Sequence, residues 1–288
     1  MRGASEPPNE LQAMKLNEIL SPSIRRITQK EGLARRPEGE SQPSLLCKSE
    51  APMWQQRQSA DSDFCQAVVS NGYMTAEQMQ EAVRRYRLGC SRDGGVIFWQ
   101  IDTLGQTCDG KIMYYRPDCH RDHQRHPQWV SNLLKRHYLK DDPQLASEIQ
   151  THHCLFGTHL LTGERLTVNG ERLSNSPEPI TLNPEPTIAV VEAEKTAVIL
   201  SAHYPQYLWL AAGGLTELTP QKLFPLRHHR IVLFPDTDPA QTAYSRWYTV
   251  AQEARRQYCL DITVSSLLER RATAEQKQAK IDLVDFLF

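Results

Sequence analysis

The chain carries almost no net charge: 33 lysines and arginines stand against 34 acidic residues, for −1 at neutral pH. That excludes bulk attraction to polyanions, so any contact with nucleic acid needs a local basic patch. A C-x-x-C pair is also missing. The 7 cysteines are scattered and odd in number, which argues against a disulfide framework and against a zinc ribbon. No G-x-G-x-x-G follows an expected strand and there is no G-x-x-x-x-G-K, so neither a dinucleotide site nor a P-loop is indicated. No apolar run reaches spanning length and no signal-peptide pattern opens the chain. The expectation is a soluble, cytoplasmic protein with no membrane partner. Its 288 residues suffice for one large or two modest domains.

Residues 1–60 are rich in Pro, Ser, Glu, Gln and Arg and read as a disordered or weakly helical leader. Order is expected from Asp61. Phe64, Ala67 and Val68 share one helical face that Asn71-Gly72 closes, and Thr75 with Gln78 forms a capping box for a second helix, stapled by Met74 and Met79. Arg84, Arg85 and Arg87 suit the C-terminal pole of that helix, with a phosphate contact by these arginines, Arg87 among them, as the alternative. Gly94–Asp102 and Lys111–Tyr115 are strands joined by a turn through Gly105, a hairpin. Lys111 is either a solvated edge lysine or a backbone contact for nucleic acid. Cys119, His120, His123 and His126 invite a zinc reading that His152, His153 and Cys154 could complete, but the spacing fits no usual site and a polar loop with basic residues is the plainer reading. Arg116, Arg121, Arg125, Lys135, Arg136 and Lys140 make the middle stretch basic enough to lie against a nucleic-acid strand. Trp129–Leu139 reads as helical.

The chemistry concentrates between residues 187 and 240. Thr187–Val191 and Arg230–Phe234 are short runs of β-branched and bulky apolar residues, as strands buried on both faces are. The first stops at Glu192 and Glu194, the second at Asp236 and Asp238. Helical spacing follows each run, and Tyr207–Ala212 and Leu260–Val264 add two further strands. The βαβα order predicts an α/β fold with a mostly parallel four-stranded sheet and flanking helices. Ligands of such sheets sit beyond the carboxyl ends of the strands, at the point where strand order reverses. Glu192, Asp236 and Asp238 fall at that edge. Clustered carboxylates repel unless a cation joins them, and oxygen ligands favour Mg²⁺. A cation at a helix N-terminus is disfavoured, so Lys195 reads as a phosphate contact or a solvated side chain. Gly213-Gly214 permits close approach of a ligand, or only a tight turn. A bland alternative stands beside this: Asp238 caps a helix with Pro239 at its first position, and Glu192 and Glu194 merely favour a helix N-terminus.

A strand ending in Glu, a glycine-bearing turn, then a strand ending in Asp-x-Asp resembles the toprim domain of primases, topoisomerases and some nucleases. Arg85-Tyr86-Arg87-Leu88-Gly89, the hairpin at 96–115 and Cys154-Leu155-Phe156-Gly157 resemble, in order, elements of the catalytic core of bacterial-type DNA primases. The likeness is closest to primase-like toprim proteins of mobile genetic elements. It covers about residues 62–288 and implies, after the leader, a small α+β primase-core-like subdomain over 61–180 and a toprim domain over 181–288. It further implies a nucleotidyltransferase, acting on a single-stranded DNA template with nucleoside triphosphates, in replication or transfer of a mobile element. Mg²⁺ or Mn²⁺ would be held by Asp236 and Asp238, with Glu192 as a further ligand or proton acceptor and Glu194 in support. Helicase or relaxase partners are implied too. Departures are the missing glycine after Glu192, Thr196 in place of an acidic residue, and the Asp282/Asp285 spacing. A toprim nuclease, or a nucleic-acid-binding protein without catalysis, is the alternative.

Overall fold

The computed structural model describes residues 59–141, 143–149, 151–162 and 186–288. Nearly all of the expected leader, and residues 163–185, lie outside the described residues. Helix α1 is Asp63–Ser70, begun by Ser62, whose Oγ accepts the Cys65 amide at 3.3 Å. Helix α2, Ala76–Tyr86, opens on the expected Thr75/Gln78 capping box, and Arg87 ends it in the left-handed region at φ 52°. Met74 and Met79 are buried as the staple requires.

An antiparallel sheet follows, ordered β1-β2-β3-β4: Gly89–Cys90, Val96–Ile101, Thr107–Met113 and Gln128–Trp129. The hairpin is the expected one. Its second strand starts earlier than Lys111, because Asp109 is drawn inside and held by the Gly110 amide at 2.7 Å, the Ser131 amide at 3.1 Å and the Ser131 hydroxyl at 2.7 Å. The outer strands escaped notice, since two residues are too few for alternation to register. Helices α3, Val130–Asp141, and α4, Pro143–Glu148, follow.

The second sheet is parallel throughout, ordered β6-β5-β7-β8. Its strands are β5 Thr187–Val191, β6 Tyr207–Ala211, β7 Ile231–Phe234 and β8 Ile262–Val264. Between them lie α5 Glu194–His203, α6 Pro220–Leu223 and α7 Thr242–Tyr258; α8 Leu267–Arg271, α9 Ala274–Ala279 and α10 Leu283–Leu287 come last. Alternate residues of β5 feed two cores. Ile188 and Val190 pack with Trp247 and Ala251 of α7. Ala189 and Val191 pack on the other face, in a cluster that also takes in α5, α10, α1, α2, Val96 and Phe98. The hairpin and the parallel sheet therefore share one core. Tyr86 joins them, donating its hydroxyl to the Trp209 carbonyl at 2.9 Å and stacking on Phe156 at 5.1 Å. Gly157 needs its φ of 86°, and a Cβ there would strike Leu210 at 2.9 Å.

Helix α7 does not start at Pro239. Asp238 accepts the Ala240 amide at 2.9 Å and the Ala243 amide at 2.9 Å, which turns the chain before the helix begins at Thr242. Among the described residues no helix is long and apolar enough to cross a membrane.

Candidate functional site

β5 and β7 are adjacent and parallel, with Val191 paired to Phe234. Glu192 follows the first directly and Asp236 lies two residues past the second, so both sit at the edge where strand order reverses. Both are partly buried. Burial raises the Glu192 carboxyl above its usual value, against a hydrogen bond from the Leu215 amide and the attraction of Lys111; Asp282 and Glu194 push it further up. Asp236 is driven well above its usual value by burial and then by Glu192, Asp282 and Asp285, with Lys195 opposing. Burial and their mutual repulsion thus disfavour ionisation of both carboxyls at the neighbouring strand tips.

The other acidic groups at this edge have answers of their own. Asp282 and Asp285 form a capping box at the start of α10. Lys195 Nζ stands 3.7 Å from each, and the Thr196 hydroxyl donates to Asp282 Oδ2 at 2.5 Å. Lys195 is therefore neither solvated nor idle: those two aspartates outweigh the cost of its burial and raise its pKa. Burial alone would lift Asp238, yet the amides of Ala243, Thr242 and Ala240 hold it below its usual value. Its carboxylate faces the helix amides. Glu194, at the first turn of α5, is 2 % exposed and lies 3.2 Å from Lys111 Nζ, which also donates to the Gly213 carbonyl at 2.6 Å. Gly213, at φ 91°, passes close enough that a Cβ would meet Glu194 Oε1 at 3.2 Å. Gly214, at φ 153°, completes the turn.

The basic residues singled out in the sequence scatter over the other sheet's surroundings. Arg116 pairs with Asp118 at 2.7 Å. Arg125 pairs with Asp93 and lies over the Tyr114 ring, 3.4 Å from its centre. Arg87 and Arg121 are exposed. Cys119, His120, His123 and His126 do not converge as a metal cluster: Cys119 is buried and His120 turns to the Asp118 carbonyl at 2.9 Å.

Glu192 and Asp236 fit a hard divalent cation, because the donors are oxygens and are partly desolvated. Among the described residues, the strand-tip carboxylates are not drawn into a set of three with all ligand atoms within 4.8 Å. The reason is local: Lys195 retains Asp282 and Asp285, and the α7 amides retain Asp238. Asp282 and Asp285, noted in the sequence only as a departure in acidic spacing, act on the two strand-tip carboxyls. Their Asp-x-x-Asp capping-box spacing was the available signal.

A family model, Domain of unknown function (DUF6371), matches residues 62–169 and 178–237. Comparison with curated proteins found no match. Among solved structures, the primase fragment of the bacteriophage T7 primase-helicase protein is similar at 14% identity and a TM-score of 0.41, covering 82% of this chain and 82% of that one.

Proposed function

The chain belongs to the DUF6371 family, and we propose that it is a primase-like nucleotidyltransferase working on a single-stranded DNA template. The observation that carries the reading is the Glu192–Asp236 pair, two carboxyls lifted in pKa at the tips of adjacent parallel strands. They would hold Mg²⁺ or Mn²⁺, with Asp238 as a third oxygen donor if its cap opens. Bound there, the ion would neutralise the triphosphate of an incoming nucleotide. If Asp236 and Asp238 hold the ion without it, Glu192, raised in pKa, would instead accept the proton of an attacking 3′ hydroxyl. Lys111 and Glu194 fix the Gly213 turn as one wall of the site, and exposed Arg87 and Arg121 offer contacts for template phosphates. Replication or transfer of a mobile element, with a helicase or relaxase partner, is the setting that the sequence resemblance favours.

A second reading, nucleic-acid binding without catalysis, is favoured by the neutralisation of Asp282 and Asp285 by Lys195. Primer synthesis on a single-stranded template with Mg²⁺ or Mn²⁺ separates the two. Product that disappears in Asp236→Ala supports the enzyme. Cleavage without synthesis moves the assignment to a toprim-like nuclease, and binding without either supports the second reading.

A further inference from the structure

A different group of ligating side chains gathers at the far turn of the hairpin. Asp102 follows β2, Cys108 is the second residue of β3, and His152 arrives from the stretch before β5. Their ligand atoms all lie within 4.8 Å of one another. Cys108 Sγ and His152 Nε2 are 3.1 Å apart. Two such donors on one tetrahedral ion stand about 3.6 Å apart, from bond lengths of about 2.3 and 2.1 Å, so an opening of about 0.5 Å would admit one.

We propose that Asp102, Cys108 and His152 form a site for a borderline-soft transition-metal ion, Zn²⁺ first. The donor set decides the class: thiolate sulfur and imidazole nitrogen select Zn²⁺ over Mg²⁺, which prefers oxygen alone. Binding releases the Cys108 thiol proton to solvent and takes His152 neutral.

The surroundings hold each ligand. Asp102 Oδ1 accepts the Leu104 amide at 2.8 Å and the Gln106 amide at 2.9 Å, in a turn that Gly105 closes at φ 77°. One carboxylate oxygen is left for an ion, with the side chain already oriented. Cys108 Sγ also lies 3.7 Å from the Gln106 carbonyl, within the same turn. His153, next to the third ligand, stacks on Trp129 with ring centres 4.1 Å apart and points Nε2 at Asp109 Oδ2, 3.3 Å away. That anchor fixes the backbone from which His152 reaches the turn. His152 itself is exposed, so an ion can enter from solvent.

Three protein ligands leave one tetrahedral position for water or another donor. The ion would brace the hairpin that carries Lys111 and tie the 151–154 stretch to it. This inference is independent of the strand-tip carboxylates.

The test is Co²⁺ titration of the full chain after chelation, read by the sulfur-to-cobalt charge-transfer band and by displacement with Zn²⁺. One Zn²⁺-displaceable ion per chain is expected, with the band lost in Cys108→Ser. Affinity should fall at least about 100-fold in His152→Ala, at or beyond the loss typical of removing an outer partner. His152 is on the surface, so that variant folds. A wild-type chain without the band, a band that survives Cys108→Ser, or unchanged affinity in His152→Ala overturns the assignment.

Discussion

Lys111 of the antiparallel sheet and Glu194 of the parallel unit form a buried ion pair, with Nζ 3.2 Å from both carboxylate oxygens and their side chains 12% and 3% exposed. A third partner, the Gly213 carbonyl at 2.6 Å, completes the ammonium's shell on the same side. One side chain thus links the hairpin to the turn that borders the candidate site. It also explains why Glu194 can sit inside at the start of α5: a buried carboxylate persists when it is paired and hydrogen-bonded.

Removing one member of this pair strands a buried charge, and that costs about 3–5 kcal/mol. Lys111→Met should therefore lower unfolding stability by about that amount in urea titration. Lys111→Met with Glu194→Gln should recover most of the loss. Equal instability of the single and double variants would show that the pair is not what holds the two sheets together.

The raised carboxyls make a pH prediction whose sign is fixed. Glu192 and Asp236 bind protons more tightly folded than unfolded, so their contribution is fully present at low pH and fades as pH rises through the raised folded values. Stability in chelator should decline upward from the ordinary carboxylate range, and Asp236→Asn should flatten the decline. At neutral pH without divalent ions, Asp236→Asn should raise Tm by about 2–4 °C, the shift that roughly 1 kcal/mol gives in a protein of this size. Added Mg²⁺ should stabilise the wild type more as pH rises, because binding displaces protons. A wild-type profile that is flat in chelator would contradict this account of the strand tips.

Asp238 separates a cap from a ligand. Its two oxygens take the Ala240 and Ala243 amides, so Asp238→Ala should cost about 1 kcal/mol of stability. Asp238→Ser should retain most of it as an alternative cap. If capping is its main task, Mg²⁺ affinity in Asp238→Ser stays within about threefold of wild type, a free-energy change under 1 kcal/mol. Loss of Mg²⁺ binding with stability intact would make Asp238 a ligand instead.

The parallel strands were legible because most are short, largely buried apolar runs and the two that carry the carboxylates end in an abrupt change of composition. The Thr75/Gln78 box and the hairpin carry equally local signals. Glu192 and Asp236 could be placed at one edge from the βαβα order alone. The partners of the charges could not. Lys111 and Glu194 are 83 residues apart in sequence and belong to different sheets, and nothing near Lys195 announces Asp282. The cysteine and histidines adjacent at 119–126, whose spacing already fitted no usual site, are not brought together by the fold. Donors that converge are brought together by the hairpin register and the returning chain, as Cys108 and His152 are across 44 residues.

The most direct test of the central claim is calorimetric titration of the full chain with Mg²⁺ and Mn²⁺, beside Glu192→Gln and Asp236→Asn. The account predicts one oxygen-ligated ion in the wild type and a loss of at least tenfold in affinity, about 1.4 kcal/mol, in each variant. Binding that survives both substitutions would contradict it.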